Sequence, residues 1–144
     1  MDISWEQNSS IHTQIVFKKV ERTINSKIGK SIREAGLTTP QFSVLDVLYT
    51  KGEMRVCDLI TKILATSGNM TVILKNMERD GLIYRHKDSK DKRAFVLGLT
   101  EDGKKLFEQI LPKHRQEIEN VYGILSKEER QTLISILKKF KNLD

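Results

Sequence analysis

The hydrophobic period of the sequence changes between residues 70 and 99, and few folds accommodate such a change. Apolar residues first recur at the three- and four-residue spacing of an amphipathic helix, and Gly81 ends that stretch. After a polar turn over residues 88–92, they recur at every second position, as in a strand. The order predicts a helix followed by a β-hairpin. The residues are Met70, Ile73, Leu74 and Met77 in the helix, and Phe95, Leu97 and Leu99 in the hairpin.

A short amphipathic helix is predicted immediately before this one. Its apolar residues have helical spacing, and a break at residues 65–67 separates them from Met70. Two short helices joined by a tight turn are the signature of a helix-turn-helix. The hairpin that follows would then be its wing. The apolar residues of the first of these helices are Val56, Leu59, Ile60, Ile63 and Leu64.

Longer helical patterns lie on both sides of this module. One covers residues 11–34 and is followed by Gly36, and another begins at Glu101 and runs to about Leu125, with a kink expected at Pro112. A last helix starts at the capping box of Ser126. A further helix begins near residue 38, where either a Thr38 capping box or a Thr39 cap followed by proline explains the start equally well.

The chain is therefore expected to form a single domain over residues 1–144. The winged module covers about 38–99, and the outer helices cover about 8–34 and 101–142. The outer helices carry more apolar residues than packing on the module can cover, and an isologous homodimer would bury them. A monomeric bundle is the alternative. The fold class is mainly α with a small β-hairpin wing, a winged helix-turn-helix on a helical dimerisation base. The apolar residues of the outer helices that a homodimer would bury are Ile118, Val121, Tyr122, Leu133, Leu137 and Phe140.

Composition excludes several classes of protein. Cys57 is the only cysteine of the chain, so neither an intrachain disulfide nor a cysteine-rich metal site can form. The apolar runs are short and interrupted by charges, and the N-terminus lacks the pattern of a signal peptide, so we expect a cytoplasmic protein without a membrane span. The three histidines lie in separate elements. No catalytic set, metal site or cofactor motif is found, so an enzyme is not expected.

The second helix of the helix-turn-helix carries the first candidate binding surface. The positions that avoid its core stripe are small or polar, and such residues at a helix N-terminus allow close entry into a major groove. Asn69 could read adenine, and the methyl groups of Thr71 and Val72 could touch thymine. The alternative is that Ser67 only caps the helix and the rest is solvated. The candidate residues are Ser67, Gly68, Asn69, Thr71, Val72 and Lys75.

The tip of the hairpin carries the second candidate surface. Lys90, Lys92 and Arg93 lie on a narrow tongue that could follow a duplex backbone and place an arginine in the minor groove. Asp91 is expected to hold Arg93 through a salt bridge. A net charge of +6 permits a polyanionic partner. For an isolated hairpin, a solvated charged turn would be the better interpretation of these cations. Because this hairpin directly follows a helix-turn-helix, contact with double-stranded DNA is the better interpretation.

Five segments resemble the MarR family of winged helix-turn-helix transcription regulators. The wing segment, residues 88–93, and the segment 99–103 that follows it are similar to the family's most distinctive signature. The resemblance extends over nearly the whole chain. It implies a homodimer with recognition helices in successive major grooves of a pseudo-palindrome, and Arg93 in the minor groove. Many members are repressors that a small ligand releases. The other three segments that resemble the family are residues 37–42, 67–71 and 77–83.

The resemblance also implies a site for an effector. Residues 110–129 look like the branch that responds to quinones and related aromatics, so a small phenolic or quinone ligand is expected. Its candidate contacts are His12, Ile15, Phe42 and His114. The peroxide-sensing branch has its cysteine in the first helix, where this chain has none. Cys57, beside Val56 and Leu59, is expected to be buried and inert.

One rival function remains at this point. A winged helix can serve as a protein-interaction module that has lost specific DNA binding. Its recognition face would then be acidic or apolar, whereas the face here is small and polar and ends in Lys75. The residues therefore favour a DNA-binding regulator over an interaction module.

Overall fold

The structure is a computed structural model that describes residues 9–63 and 69–142. Its elements follow the predicted order of helices and hairpin, with additions described below. They are α1 (Ser10–Lys27), α2 (Lys30–Glu34), α3 (Thr39–Lys51), β1 (Met54–Arg55), α4 (Val56–Ile63), α5 (Met70–Arg79), β2 (Ile83–Lys87), β3 (Phe95–Leu99), α6 (Glu101–Tyr122), α7 (Lys127–Lys138) and a final 3₁₀ turn (Lys139–Asn142). The mainly helical winged fold expected from the sequence is confirmed.

The chain divides into two compact units. The terminal unit contains the two ends of the chain, up to Lys30 and from His114 onward. The winged unit is Ser31–Lys113 and contains the helix-turn-helix and the sheet. None of the helices in the described part of the chain is long and apolar enough to cross a membrane.

The hydrophobic core of the winged unit forms where α3, α4, α5, the sheet and α6 meet. Leu45, Leu59, Met77 and Leu97 come from four of these elements, and each is fully inaccessible to solvent. Phe107 of α6 stacks on Phe42 of α3 with ring centroids 5.3 Å apart. Because every element of the unit contributes to one core, α5 and the wing are supported by the same packed layer.

Local sequence signals determine where α3 begins. Thr38 is the N-cap: its side chain accepts from the Gln41 N–H, and Gln41 accepts from the Thr38 N–H at 2.9 Å. This reciprocal pair decides between the two starts that the sequence left open. Pro40 then lies in the first turn of the helix, where its missing N–H costs nothing.

The sheet has one strand more than the sequence predicts. β1 pairs with β3, β3 pairs with β2, and both pairings are antiparallel, giving the order β1-β3-β2. The wing is therefore a hairpin with a third strand along one edge. β1 is only two residues long, and two residues cannot show the alternation by which a strand is recognised in a sequence.

The segment after the wing turns directly into α6. The Thr100 hydroxyl donates to the Gly81 carbonyl at 2.6 Å and accepts from the Gly103 N–H at 3.0 Å. A Cβ at position 103 would lie 2.1 Å from the Leu82 carbonyl oxygen, so only glycine fits there. Through these hydrogen bonds and the close approach at Gly103, the segment 99–103 fixes the start of α6 next to the loop that joins α5 to the wing.

The long first helix expected from the sequence is divided into two. α1 ends at Lys27, and α2 starts at Lys30 after a glycine with φ of 111°. The apolar spacing continues through Ile28 and Ile32, which is why it concealed the break. The Gly29 N–H that no longer bonds within α1 donates to the Glu117 carboxylate of α6 at 2.7 Å.

Much of the apolar surface of the terminal unit is exposed. Neither α1 nor α7 has a buried residue. Ile124 is 84% exposed and Phe140 is 59% exposed. The capping box predicted at Ser126 is present, because the hydroxyl of Ser126 accepts from the Glu129 N–H at 3.1 Å and Glu129 accepts from the Ser126 N–H at 2.8 Å.

Candidate nucleic-acid interface

The two faces of α5 have different roles. Met70, Leu74 and Met77 are buried, and Ile73 is half-buried, as the hydrophobic stripe predicted. Thr71, Val72 and Lys75 lie on the opposite face and are exposed, with Val72 54% exposed. An isolated valine with half its surface in water contributes little to the core. This face is therefore available to a partner without any loss of core packing.

The N-terminal end of α5 is only partly described. Asn69 is the exposed N-cap, and its side chain makes no capping hydrogen bond with the described residues. Its amide can thus be used outside the protein. Ser67 and Gly68, also predicted to bind DNA, lie outside the described residues.

The wing tip is shaped by two aspartates that accept backbone N–H groups two residues ahead. Asp88 accepts from the Lys90 N–H at 3.1 Å, and Asp91 accepts from the Arg93 N–H at 3.0 Å. Such turns constrain the backbone without glycine. Each carboxylate is thus bound to the backbone of the tip, and the cationic side chains of Lys90, Lys92 and Arg93 are exposed around it.

The expected contact between Asp91 and Arg93 is present. Asp91 Oδ1 lies 3.4 Å from Arg93 Nε. The Arg93 side chain is 94% exposed, so this pair adds little stability but limits the directions in which the guanidinium can extend.

A second ion pair anchors the base of the tip. Arg55 of β1 pairs with Asp88, whose side chain is only 14% exposed. The pKa of Asp88 lies below its usual range, because the Lys90 N–H donates to it and the Arg55 guanidinium is adjacent. The same contact raises the pKa of Arg55. The short third strand thus holds the wing tip through a charge pair that the sequence analysis did not identify.

A polar cluster lies on the same face of the sheet as Arg55, since Arg55 and His86 are both opposite Val96. The carboxylate of Glu53, just before β1, accepts from the Tyr84 hydroxyl and lies 3.3 Å from His86 Nε2. The Tyr84 and His86 rings stack at 6.2 Å. These contacts lower the pKa of Glu53 and raise that of Tyr84; His86 has a raised pKa because its ring bonds to the Lys87 carbonyl and to Glu53. The cluster connects the segment before β1 to β2 across β3.

The expectation that Cys57 is buried is wrong. Its side chain is exposed, and its Sγ lies 3.9 Å from Asp58 Oδ1. Leu59 is the buried residue of α4. Residues two positions apart on a helix are about 200° apart around its axis, so a thiol two residues before Leu59 must face outward.

The residues predicted to contact an effector belong to different units. His12 and Ile15 of α1 and His114 of α6 are in the terminal unit, where His12 and His114 are half-buried and Ile15 is 37% exposed. His12 also lines a shallow depression of about 370 Å³ along α1, together with Val16 and Phe17. Phe42 is in the winged unit, where it is 5% exposed and stacks on Phe107.

Comparison with known proteins assigns this architecture to a family. The model of the MarR family matches residues 37–95, which contain the helix-turn-helix and most of the wing. The chain is 33% identical over 130 residues to the HTH-type transcriptional regulator MhqR of Bacillus subtilis, and the match covers 90% of each chain. The chain belongs to the MarR family. It is a transcriptional regulator of the MarR type.

Solved structures of MarR-type proteins have the same fold. A MarR-like transcription regulator from Bacillus cereus superimposes with a TM-score of 0.81 at 25% identity, over 90% of this chain and 94% of that one. BpsR of Bordetella bronchiseptica, whose DNA binding is regulated by 6-hydroxynicotinic acid, gives a TM-score of 0.79 at 21% identity, over 91% and 99% of the two chains. The winged fold of this MarR protein therefore has experimental counterparts over almost its whole length.

The sequence of this MarR protein indicates its charged tip but not the residues that support the tip. No local pattern marks Arg55, Glu53 or Arg85, because each contacts a residue seven or more positions away in the chain. One signal was available: within the wing segment, the two aspartates each precede a cation by two residues, which is the spacing of the two turns.

Proposed function

We propose that this MarR-type regulator binds a specific sequence of double-stranded DNA through α5 and the wing tip. The observation that carries the proposal is that the core of the winged unit and its solvent-exposed surface use different faces of α5 and different groups of the tip. The core uses one face of α5, which leaves its outer face exposed. The two aspartates of the tip each accept a backbone N–H, and the side chains of Lys90, Lys92 and Arg93 remain exposed, Arg93 in an exposed pair with Asp91. That combination suits a major groove next to a phosphate backbone.

In the proposed complex, the two surfaces have different tasks. Asn69, Thr71, Val72 and Lys75, with Ser67 and Gly68 before them, contact base edges and phosphates in the major groove. Lys90 and Lys92 contact phosphates, which makes the affinity fall steeply with salt. Arg93 enters the adjacent minor groove, where a narrow A·T-rich segment attracts a guanidinium.

We further propose that two copies of the chain bind together. The exposed apolar residues of α7 and the 3₁₀ turn, among them Leu137 and Phe140, suit a partner helix better than water. An isologous dimer presents two winged units to a two-fold DNA site, with recognition helices about 34 Å apart. The preferred DNA is then a pseudo-palindrome with half-sites one helical turn apart.

The experiment that tests specific binding is selection of DNA by the purified chain from a randomised duplex library. We expect enrichment of a two-fold sequence, and a dissociation constant for it at least about a thousandfold below that for scrambled DNA at the same salt. A chain that enriches no sequence, and whose residual binding has no sequence preference at any salt, would instead support a winged-helix protein-interaction module.

Ligand control is the last part of the proposal. The half-buried His12 and His114 and the apolar side chain of Ile15 could contact a small aromatic ligand such as a phenol or quinone, whereas Phe42 is packed in the core of the winged unit. Support comes from BpsR, which an aromatic acid regulates. The regulator would then act as a repressor released by its ligand. A calorimetric screen of phenols and quinones should give one whose binding weakens the selected complex; a screen without any such ligand contradicts this part alone.

A further inference from the structure

Arg85 of β2 is a wing residue that contacts α5. Its Nε lies 3.3 Å from the Glu78 carboxylate near the end of α5. Its guanidinium lies over the ring of Phe95 in β3, 5.0 Å from the ring centroid. A single side chain therefore contacts both the helix and the strand that leads back from the wing tip.

The strand register explains how one arginine reaches both partners. Arg85 is opposite Leu97, so Phe95 is its diagonal neighbour on the same face of the sheet. Phe95 is only two residues after Arg93. The guanidinium is planar and can present its edge to a carboxylate and its face to a ring at the same time, which a lysine ammonium cannot do.

Burial gives this arrangement more weight than an ordinary surface ion pair has. The Arg85 side chain is 25% exposed and that of Glu78 is 40% exposed, in contrast to 94% for Arg93. Partial removal from water strengthens both the charge pair and the contact with the ring. Arg55 and Asp88, by comparison, attach the tip to β1, and not to α5.

We propose that Arg85 is a positioning residue that keeps the wing tip at a fixed distance and angle from α5. The inference rests on the proposed function, because it concerns the simultaneous contact of two surfaces with one duplex. The pair with Glu78 attaches the wing to α5, and the Phe95 ring fixes the direction of the Arg85 side chain within the wing. The wing therefore has little freedom to lose when Arg93 meets DNA, so the Arg93 contact forms without an additional ordering cost.

The test is a double-mutant cycle on the selected DNA, with Arg85→Lys and Arg93→Ala made singly and together. Arg85→Lys keeps the charge, so long-range attraction to DNA is unchanged. In the wild type, we expect Arg93→Ala to weaken binding by about tenfold to a hundredfold. In the Arg85→Lys background, we expect Arg93→Ala to weaken binding by less than about threefold. Without the contacts of Arg85 the wing is wrongly oriented, so Arg93 has already lost most of its contact with DNA.

Two further variants and one control make the test specific. Glu78→Gln and Phe95→Leu remove the two contacts of Arg85 separately, and each should also reduce the effect of Arg93→Ala. Arg79→Ala is the control, and it removes a cation next to Glu78 in the sequence. The Arg79 side chain is 71% exposed and pairs with Asp80. In that background, Arg93→Ala should keep its full effect. Melting temperatures, measured in parallel, identify any variant that has lost its fold.

The outcomes separate this inference from the proposed function. If Arg93→Ala reduces affinity by the same factor in the wild-type, Arg85→Lys, Glu78→Gln and Phe95→Leu backgrounds, Arg85 does not position the wing, although specific binding still stands. If the wild type shows no sequence preference at all, the proposed function itself is overturned.

Discussion

At the scale of single residues, His86 has the most informative surroundings. Its Nδ1 lies 2.9 Å from the Lys87 carbonyl oxygen, and its Nε2 lies 3.3 Å from Glu53 Oε2. Both neighbours are acceptors, and a neutral imidazole can donate to only one of them. The imidazolium satisfies both, which is the physical reason for its raised pKa. Asp88 is a further negative charge nearby, and Tyr84 stacks on the ring while donating to the same carboxylate.

This geometry predicts a pH-dependent stability of the sheet. Because the pKa of His86 is raised by folding, its contribution is complete below the usual value of 6.5 and is lost as the pH rises through the raised pKa. Glu53 has a lowered pKa, so its contribution is present above 4.5 and is lost as the pH falls through the lowered value. The cluster is therefore strongest in mildly acidic solution.

The measurement is thermal unfolding of the wild type and His86→Gln at about pH 6 and about pH 8.5. We expect the difference in melting temperature between the two proteins to be clearly larger at the lower pH. His12→Gln removes a histidine from the terminal unit and serves as the control. A His86→Gln difference that is the same at both pH values would show that the ring is not charged in this cluster.

At the scale of elements, the sequence predicts what local chemistry determines. The inward stripe of α5 and the start of α7 at Ser126 depend on residues within one or two helical turns, and both are confirmed. For α3 the sequence allows a start at Thr38 or at Thr39, and the structure has Thr38 as the N-cap. The exposure of Cys57 could have been deduced from its angle to Leu59. β1 could not, since its two residues form a strand only through pairing with β3.

Arg85, Glu53 and Arg55 illustrate the limit for the candidate site. Their partners lie 7, 31 and 33 positions away in the chain, at Glu78, Tyr84 and Asp88 respectively. Charged residues at such separations have no local pattern to distinguish them from a solvated surface. The cations at the tip, in contrast, were identifiable because they are adjacent in sequence.

The break between α1 and α2 gives a prediction at this scale. Gly29 has φ of 111°, a conformation that side chains with a Cβ rarely adopt. Gly29→Ala should therefore reduce the free energy of unfolding by about 1–3 kcal/mol, whether measured by urea or by heat. Asn25→Ala, at an exposed position of α1, should change it by less than about 0.5 kcal/mol. An equally small effect at Gly29 would mean that α1 and α2 can form one continuous helix.

At the scale of the whole molecule, the exposed apolar residues of the terminal unit require an explanation. Ile134, Leu137 and Phe140 are 51%, 48% and 59% exposed in the single chain. With Ile136, which is also exposed, four large apolar side chains within seven residues exceed the scattered exposure usual for a monomer. A second copy of the chain would remove them from water.

Sedimentation equilibrium tests this assembly. The wild type is expected at twice the 16.6 kDa mass of the chain, and Leu137→Glu or Phe140→Glu should shift it to the monomer, because a carboxylate would have to enter an apolar contact. Gln131→Glu adds the same charge at an exposed polar position of α7 and should remain dimeric. A monomeric wild type at micromolar concentration contradicts the proposed pair.

The central claim is that one winged unit uses two adjacent grooves, α5 in the major groove and Arg93 in the minor groove. Methylation interference on the selected DNA tests it most directly, since guanine N7 lies in the major groove and adenine N3 lies in the minor groove. For the wild type, we predict interference at N7 positions in two segments one helical turn apart, and at N3 positions in the flanking minor grooves. Arg93→Ala should lose the N3 signals and keep the N7 signals. An unchanged N3 pattern in Arg93→Ala, or interference in one kind of groove alone with the wild type, would contradict this mode of binding.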